Sequence, residues 1–181
     1  MKSQLSPALR LTLVLMVLCI GLYSLAVLGM AQAAPFHGTG IRLADAKGHS
    51  YYEAIGQKFD SVIYFQSRPS AVGYNAAGSG GSNKGPNNPD YLNEVQERVT
   101  VFRAQNPGAP VPMDLVTASG SGLDPDISIA AAQAQVVRIA QARSVPEASI
   151  QQLIQNQQHT PFFGPQTINV LRLNLALDTL H

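Results

Sequence analysis

The chain has a single cysteine and no tryptophan in 181 residues. Cys19 lies inside a long apolar run, so the residues after that run contain no thiol and can form no disulfide. The four histidines are scattered, with no i, i+4 pair and no cysteine partner. This spacing argues against a metal site.

Charged residues are also few, at 13% of the chain, and they form no basic cluster. All eleven acidic and ten of the twelve basic residues follow the apolar run, which gives that part a net charge of −1. Nucleic-acid-binding domains carry a basic patch. We therefore expect no nucleic acid among the partners.

The common catalytic motifs are missing as well. The Gly-rich stretch 79–85 (SGGSNKG) places its lysine before the last glycine, whereas a phosphate-binding loop needs G-x-x-x-x-G-K-[ST]. No serine lies in G-x-S-x-G, and S-x-x-K does not occur. Ser119 and Ser121 have no histidine nearby in the sequence, although folding could bring one there. We predict no catalytic residue, no metal and no directly bound cofactor.

The chain does have one long apolar run, residues 11–30, which carries no charge. A helix of this length spans about 30 Å, the thickness of the hydrocarbon core of a bilayer. Ala31-Gln32-Ala33 resembles a signal-peptide cleavage site, but the run exceeds the usual apolar region of about 7–15 residues. We expect a retained anchor in contact with membrane lipid, and a cleaved signal peptide stays open as the alternative.

Flanking charges predict the orientation of this anchor. Lys2 and Arg10 precede the run, and the next basic residue is Arg42. The positive-inside rule then places the N-terminus in the cytoplasm and the main domain outside, on the cell (inner) membrane. We divide the chain into a cytoplasmic N-terminus (1–10), a transmembrane helix (11–30), a connector (31–48) and an extracytoplasmic domain (49–181).

The part after the anchor is long enough for one domain with its own core. Asn88 and Ser128 are candidate helix caps, and Ser144 with Glu147 forms a candidate capping box. Interleaved strands and helices favour an α/β or α+β domain with a small sheet and about three helices. The predicted strands are 61–65, 115–118 and 168–171, and the predicted helices are 89–105, 128–143 and one starting after 144.

Several blocks of the sequence, in order and spacing, carry a resemblance to one family. They are Arg68-Pro69-Ser70-Ala71, Ser79-Gly80-Gly81-Ser82-Asn83, Asn106-Pro107, Val111-Pro112-x-Asp114-Leu115-Val116-Thr117-x-Ser119-x-Ser121-Gly122-Leu123-Asp124-Pro125 and Asn174-Leu175-Ala176-Leu177-Asp178. Over nearly the whole chain the sequence resembles the C subunit of the Kdp potassium-transporting ATPase. It departs from the family pattern at Tyr23-Ser24, where Tyr-Pro is usual, and in a short connector without tryptophan.

The resemblance implies a non-catalytic accessory subunit of an ATP-driven, high-affinity potassium uptake complex. Its implied partners are a channel-like A subunit, a P-type ATPase B subunit and a small F subunit. The implied role is assembly and stability of the complex, with a proposed catalytic-chaperone effect that raises the ATP affinity of the B subunit. K⁺ and ATP with Mg²⁺ are then used by the complex, and this chain has no D-K-T-G phosphorylation sequence of its own.

Two polar loops, 68–83 and 117–126, are our candidates for the surface that contacts a partner. Glycine lets another backbone approach closely, and Ser and Asn offer hydrogen-bond donors and acceptors. We expect Arg68 to pair with a carboxylate either on the A subunit or inside this domain. Asp124 and Asp126 would form a weakly negative surface that guides K⁺ toward the pore of the complex. The candidate contact residues are Arg68, Ser70, Asn75, Ser79, Gly80, Gly81, Ser82, Asn83, Thr117, Ser119, Ser121, Gly122, Asp124 and Asp126.

Two other functions remain open from the residues alone. The chain could be a free-standing, membrane-anchored extracytoplasmic binding protein. It could also be a secreted hydrolase released at Ala33, although the nucleophile motifs are absent.

Overall fold

The computed structural model describes residues 2–180, which form two compact units that divide between Ile41 and Arg42. The first unit contains helices α1 (Lys2–Met16) and α2 (Tyr23–Ala33), joined by a π-helical segment, Val17–Leu22. Residues Gln4–Ala33 make one continuous helix of 30 residues, and its most apolar 18-residue window has a mean hydropathy of 2.6 and no buried residues. Its length and composition suit a membrane span, and a signal sequence would share them. The division into a cytoplasmic N-terminus (1–10), a transmembrane helix (11–30), a connector (31–48) and an extracytoplasmic domain (49–181) stays a prediction.

In its described part, the second unit contains five α-helices, a short 3₁₀ helix and two small antiparallel sheets. Strands β1 and β2 pair as a hairpin, and the second sheet has the order β3-β5-β4. This architecture confirms the predicted fold class, and its placement outside the cytoplasm stays a prediction. The elements are β1 (Arg42–Ala44), β2 (Ser50–Tyr52), α3 (Pro89–Gln105), β3 (Asp126–Ser128), α4 (Ile129–Gln133), α5 (Val136–Arg143), α6 (Glu147–Gln157), β4 (Gln158–His159), β5 (Thr167–Asn169) and α7 (Val170–Leu177).

Local capping signals give the correct starts of two helices. The side chain of Asn88 accepts the N–H of Tyr91 at 3.1 Å, and Ser128 Oγ accepts the N–H of Ala131 at 3.0 Å. The prediction of a capping box at Ser144 is wrong, because the backbone of Ser144 is left-handed (φ 56°) and this residue ends α5. Helix α6 begins only after Pro146, since proline fits the start of a helix but disfavours helical backbone in the residue before it.

The other predicted elements need correction. The predicted helix 128–143 is two helices, α4 and α5, with Gln135 at the break between them. Residues 61–64 form turns, and Met113–Leu115 is a short 3₁₀ helix, so neither predicted strand exists. The predicted strand 168–171 is a three-residue strand whose last residue, Asn169, caps helix α7 by accepting the N–H of Arg172 at 3.0 Å.

Two buried amide side chains bind the backbone of the apolar segment 62–66. Asn174 Oδ1 accepts the N–H of Phe65 at 2.8 Å, and Asn174 Nδ2 donates to the carbonyl of Phe65 at 2.9 Å. Gln135 Oε1 accepts the N–H of Gln66 at 2.8 Å. Phe65 and Gln135 are fully buried, and Asn174 is 2% exposed. These amides take the place of a neighbouring strand.

Two arginines on α5 complete the backbone contacts of this segment. Arg138 is 7% exposed and donates to the carbonyls of Val62 and Tyr64, the latter at 3.1 Å. Arg143 Nε donates to the carbonyl of Ile63 at 2.8 Å. Burial lowers the pKa of Arg138 to about 10, which still leaves the guanidinium charged at neutral pH. We call segment 62–66, together with the four side chains that bind its backbone, the backbone clamp; these side chains come from Gln135, Arg138, Arg143 and Asn174.

Asn174→Leu removes one amide of the clamp and leaves the N–H and C=O of buried Phe65 without their partners. We expect the free energy of unfolding to fall by about 2–6 kcal/mol, since each unpaired buried polar group costs about 1–3 kcal/mol. The measurement is urea unfolding of the full chain in detergent, followed by tyrosine fluorescence. The same substitution at the exposed Asn156 on α6 is the control, with a change within about 0.5 kcal/mol. Equal stability of the two variants would contradict the clamp.

Candidate functional site

The two loops predicted to contact a partner lie directly against each other. The N–H of Gly80 donates to the carbonyl of Ser121 at 2.9 Å, and Ser79 Oγ donates to the same carbonyl at 3.0 Å. Ser70 Oγ donates to the carbonyl of Gly122 at 2.6 Å. Residues 68–83 and 117–126 therefore form one surface, which we call the loop pair.

Two glycines allow this close approach. Gly122 has a φ of +67°, and a Cβ there would lie 2.6 Å from Val72 Cγ2 and 2.7 Å from the carbonyl oxygen of Gly80. A Cβ on Gly81 would lie 2.9 Å from the carbonyl oxygen of Gly120. Both glycines thus serve contacts inside the domain, whereas the sequence suggested that they make room for a partner.

Arg68 finds its carboxylate inside the domain. Its Nη1 lies 3.0 Å from Asp124 Oδ2, and about a quarter to a third of each side chain is exposed. The backbone carbonyl of Arg68 accepts the hydroxyl of Tyr74 at 2.6 Å, and burial raises the pKa of Tyr74 to about 12. The ion pair holds the start of loop 68–83 against the end of loop 117–126, and the Tyr74 hydrogen bond fixes the backbone of Arg68 within its own loop.

The carboxylates of the loop pair do not form two free negative charges. Arg68 balances Asp124, whose Oδ1 also accepts the N–H of Asp126 at 3.1 Å. Burial, followed by the nearby charge of Asp124, raises the pKa of Asp126. The negatively charged surface for K⁺ stays a prediction; of these two carboxylates, Asp126 has no ion pair within residues 2–180.

The candidate residues differ in their access to a partner. Ser119 is 2% exposed and its N–H donates to the carbonyl of Pro69 at 3.0 Å, so it supports the surface from inside, as does buried Gly122. Asn75, Ser79, Asn83 and Ser121 are exposed. Half-buried at the same surface are Arg68, Ser70, Gly80, Gly81, Ser82, Thr117, Asp124 and Asp126.

Three residues outside the predicted candidates, Lys84, Glu94 and Arg98, tie the residues that flank the loop pair to α3. Lys84 Nζ and Arg98 Nη2 both contact the carboxylate of Glu94, and Arg98 Nη1 donates to the carbonyl of Val116 at 3.2 Å. The bond from Lys84 is the main cause that lowers the pKa of Glu94. The i, i+4 spacing of Glu94 and Arg98 indicates their contact, but no local signal connects Lys84 to either.

Nothing in the described part of the chain resembles a metal centre. Residues 2–180 contain no group of three or more His, Cys, Asp or Glu side chains placed to hold a metal ion. What the loop pair offers is a rigid polar surface of hydroxyls, side-chain amides and backbone groups. Such a surface suits the recognition of another protein.

The comparisons with known proteins agree on one family. The sequence model of one protein family, KdpC (K⁺-transporting ATPase, c chain), matches residues 5–179 of this chain. The potassium-transporting ATPase KdpC subunit of Flavobacterium johnsoniae is 48% identical, over 95% of this chain and 96% of its own. The KdpC subunit of Geobacter sulfurreducens is 45% identical over 98% of both chains. The KdpC subunit of Bacillus cereus is 41% identical over 99% of this chain and 97% of its own.

Gly122→Ala tests whether the loop pair depends on close backbone approach. We expect a loss of about 2–5 kcal/mol in the free energy of unfolding, from about 1–2 for the left-handed backbone and about 1–3 for the clashes. Gly120→Ala, two residues away, is the matched control because its Cβ would meet nothing within 4 Å. Urea unfolding of both variants gives the values. If the two variants lose the same stability, the packing of the loops is not what requires glycine.

Proposed function

The chain belongs to the KdpC family of K⁺-transporting ATPase c chains, and on that premise we propose how it works within the complex. As a KdpC chain it is an accessory subunit of a potassium uptake ATPase rather than a catalyst by itself. We propose that its domain docks on a channel-like A subunit through the loop pair. By this contact it stabilises the assembly of the A subunit with the P-type ATPase B subunit and the small F subunit.

The membrane anchor supports this arrangement. The family match covers the apolar helix Gln4–Ala33 from residue 5 onward. The uncharged run 11–30 exceeds the usual apolar region of a signal peptide, about 7–15 residues, which favours a retained anchor. Lys2 and Arg10 lie at the start of the chain, so the positive-inside rule favours a cytoplasmic N-terminus and an extracytoplasmic domain in the cell (inner) membrane.

The internal bonds of the loop pair support the docking role. The Arg68–Asp124 ion pair and the Ser70–Gly122 and Gly80–Ser121 hydrogen bonds fix the surface before a partner arrives. A surface that is already ordered loses less conformational entropy on binding. Its exposed Asn75, Asn83 and Ser121 offer donors and acceptors for the partner.

Any effect of this subunit on ATP affinity is then indirect. The proposed orientation puts the domain on the membrane face opposite to cytoplasmic ATP, and the stretch 79–85 lacks the order of a phosphate-binding loop. ATP with Mg²⁺ and K⁺ are used by the other subunits. We propose that docking acts as a catalytic chaperone by favouring the assembled state of the pump.

Co-purification tests this function. The tagged full chain is extracted in mild detergent from its host grown under potassium limitation, with an untagged chain as control. We expect a large P-type ATPase chain and a channel-like chain, with potassium-stimulated ATPase activity, because both depend on assembly. A lone soluble protein cut near Ala33 would contradict the proposal and favour a secreted protein.

A further inference from the structure

A short loop of the second unit carries two exposed phenylalanines. Phe162 is 93% exposed and Phe163 is 85% exposed, more than any other large apolar side chain described from Arg42 on. Their ring centroids are 4.6 Å apart at an interplanar angle of 89°, an edge-to-face pair. An isolated domain gains nothing from two phenylalanines in water, so the pair suggests a contact with another molecule.

The loop that presents the two rings is an ordered hairpin. Its strands β4 and β5 pair at Gln158 with Ile168 and at His159 with Thr167. Above this base, Gln166 Nε2 donates to Thr160 Oγ1 at 3.3 Å. Ile168 is fully buried and ties the hairpin to the core. The aromatic tip, residues 160–166, therefore stands on a fixed base.

The aromatic tip is uncharged, and so is the chain for several residues on either side of it. No Lys, Arg, Asp or Glu occurs from Ala148 to Leu171, and His159 is the one titratable residue in that stretch. Surfaces that insert into anionic membranes usually join apolar side chains to Lys or Arg, and the tip has neither. An uncharged aromatic pair on a fixed base instead matches an apolar pocket of a protein, where aromatic anchors supply much of the binding energy.

We propose that the aromatic tip inserts Phe162 and Phe163 into an apolar pocket on the extracytoplasmic face of the channel-like subunit. Strand β5, which follows the tip, pairs with β3 at the end of the loop pair, so both contacts belong to one continuous part of the domain. This inference rests on the proposed function and adds a second contact to that of the loop pair. The loop pair supplies polar recognition, and the aromatic tip supplies apolar burial.

The test uses the tagged full chain in its host membranes and the double variant Phe162→Ala/Phe163→Ala. We expect the amount of ATPase chains retained per tagged chain to fall at least about tenfold, as for the loss of a central aromatic anchor. Thermal unfolding of the variant should stay unchanged because both rings are exposed. The double variant Phe162→Leu/Phe163→Leu keeps apolar side chains and should retain more of the complex than the alanine variant.

The matched control is Leu92→Ala/Val101→Ala on α3, whose side chains are 52% and 55% exposed; it should retain the complex fully. Retention by the Phe162→Ala/Phe163→Ala variant at the level of the unmodified chain would overturn the proposal. If the alanine variant keeps the complex and a photoreactive amino acid at position 162 cross-links to lipid and to no protein chain, the tip binds lipid and the proposal is wrong. If the unmodified chain itself retains no ATPase chains, the proposed function fails, and the tip contact fails with it.

Discussion

The fold depends on how the peptide groups of residues 62–66 are satisfied inside the core. Within residues 2–180 no strand pairs with this segment. The side chains of Asn174, Gln135, Arg138 and Arg143 supply the hydrogen bonds that a strand would supply. The clamp joins α5 and α7 to a segment that precedes both in the chain by about 70–110 residues. The loop pair begins only two residues after the clamp, so the clamp also sets where the candidate surface starts.

Several polar side chains of the loop pair bind atoms within the domain and are not free for a partner. The hydroxyls of Ser70 and Ser79 and the charge of Arg68 all bind atoms of the opposite loop. What remains for a partner is a smaller exposed set, Asn75 and Asn83 among them. This division explains how a loop rich in Gly, Ser and Asn can be rigid without a strand or helix of its own.

The sequence predicts the elements whose signals are local and misses those that depend on distant residues. Asn88 and Ser128 mark helix starts because the cap and its N–H partner are three residues apart. The segment 61–65 has the composition of a strand, but the side chains that bind its backbone lie far along the chain. The two candidate loops are evident from composition, whereas their contact through Gly81 and Gly122 and the exposure of Phe162 and Phe163 require the structure.

Site-directed photocross-linking tests most directly whether the loop pair is the docking surface. A photoreactive amino acid replaces the exposed Asn75 in one variant and the exposed Gln155 of α6 in a control, each in the full chain in native membranes. Our account predicts an adduct with the channel-like subunit from position 75 and none from position 155. Adducts of equal yield from both positions, or an adduct from position 155 alone, would contradict it.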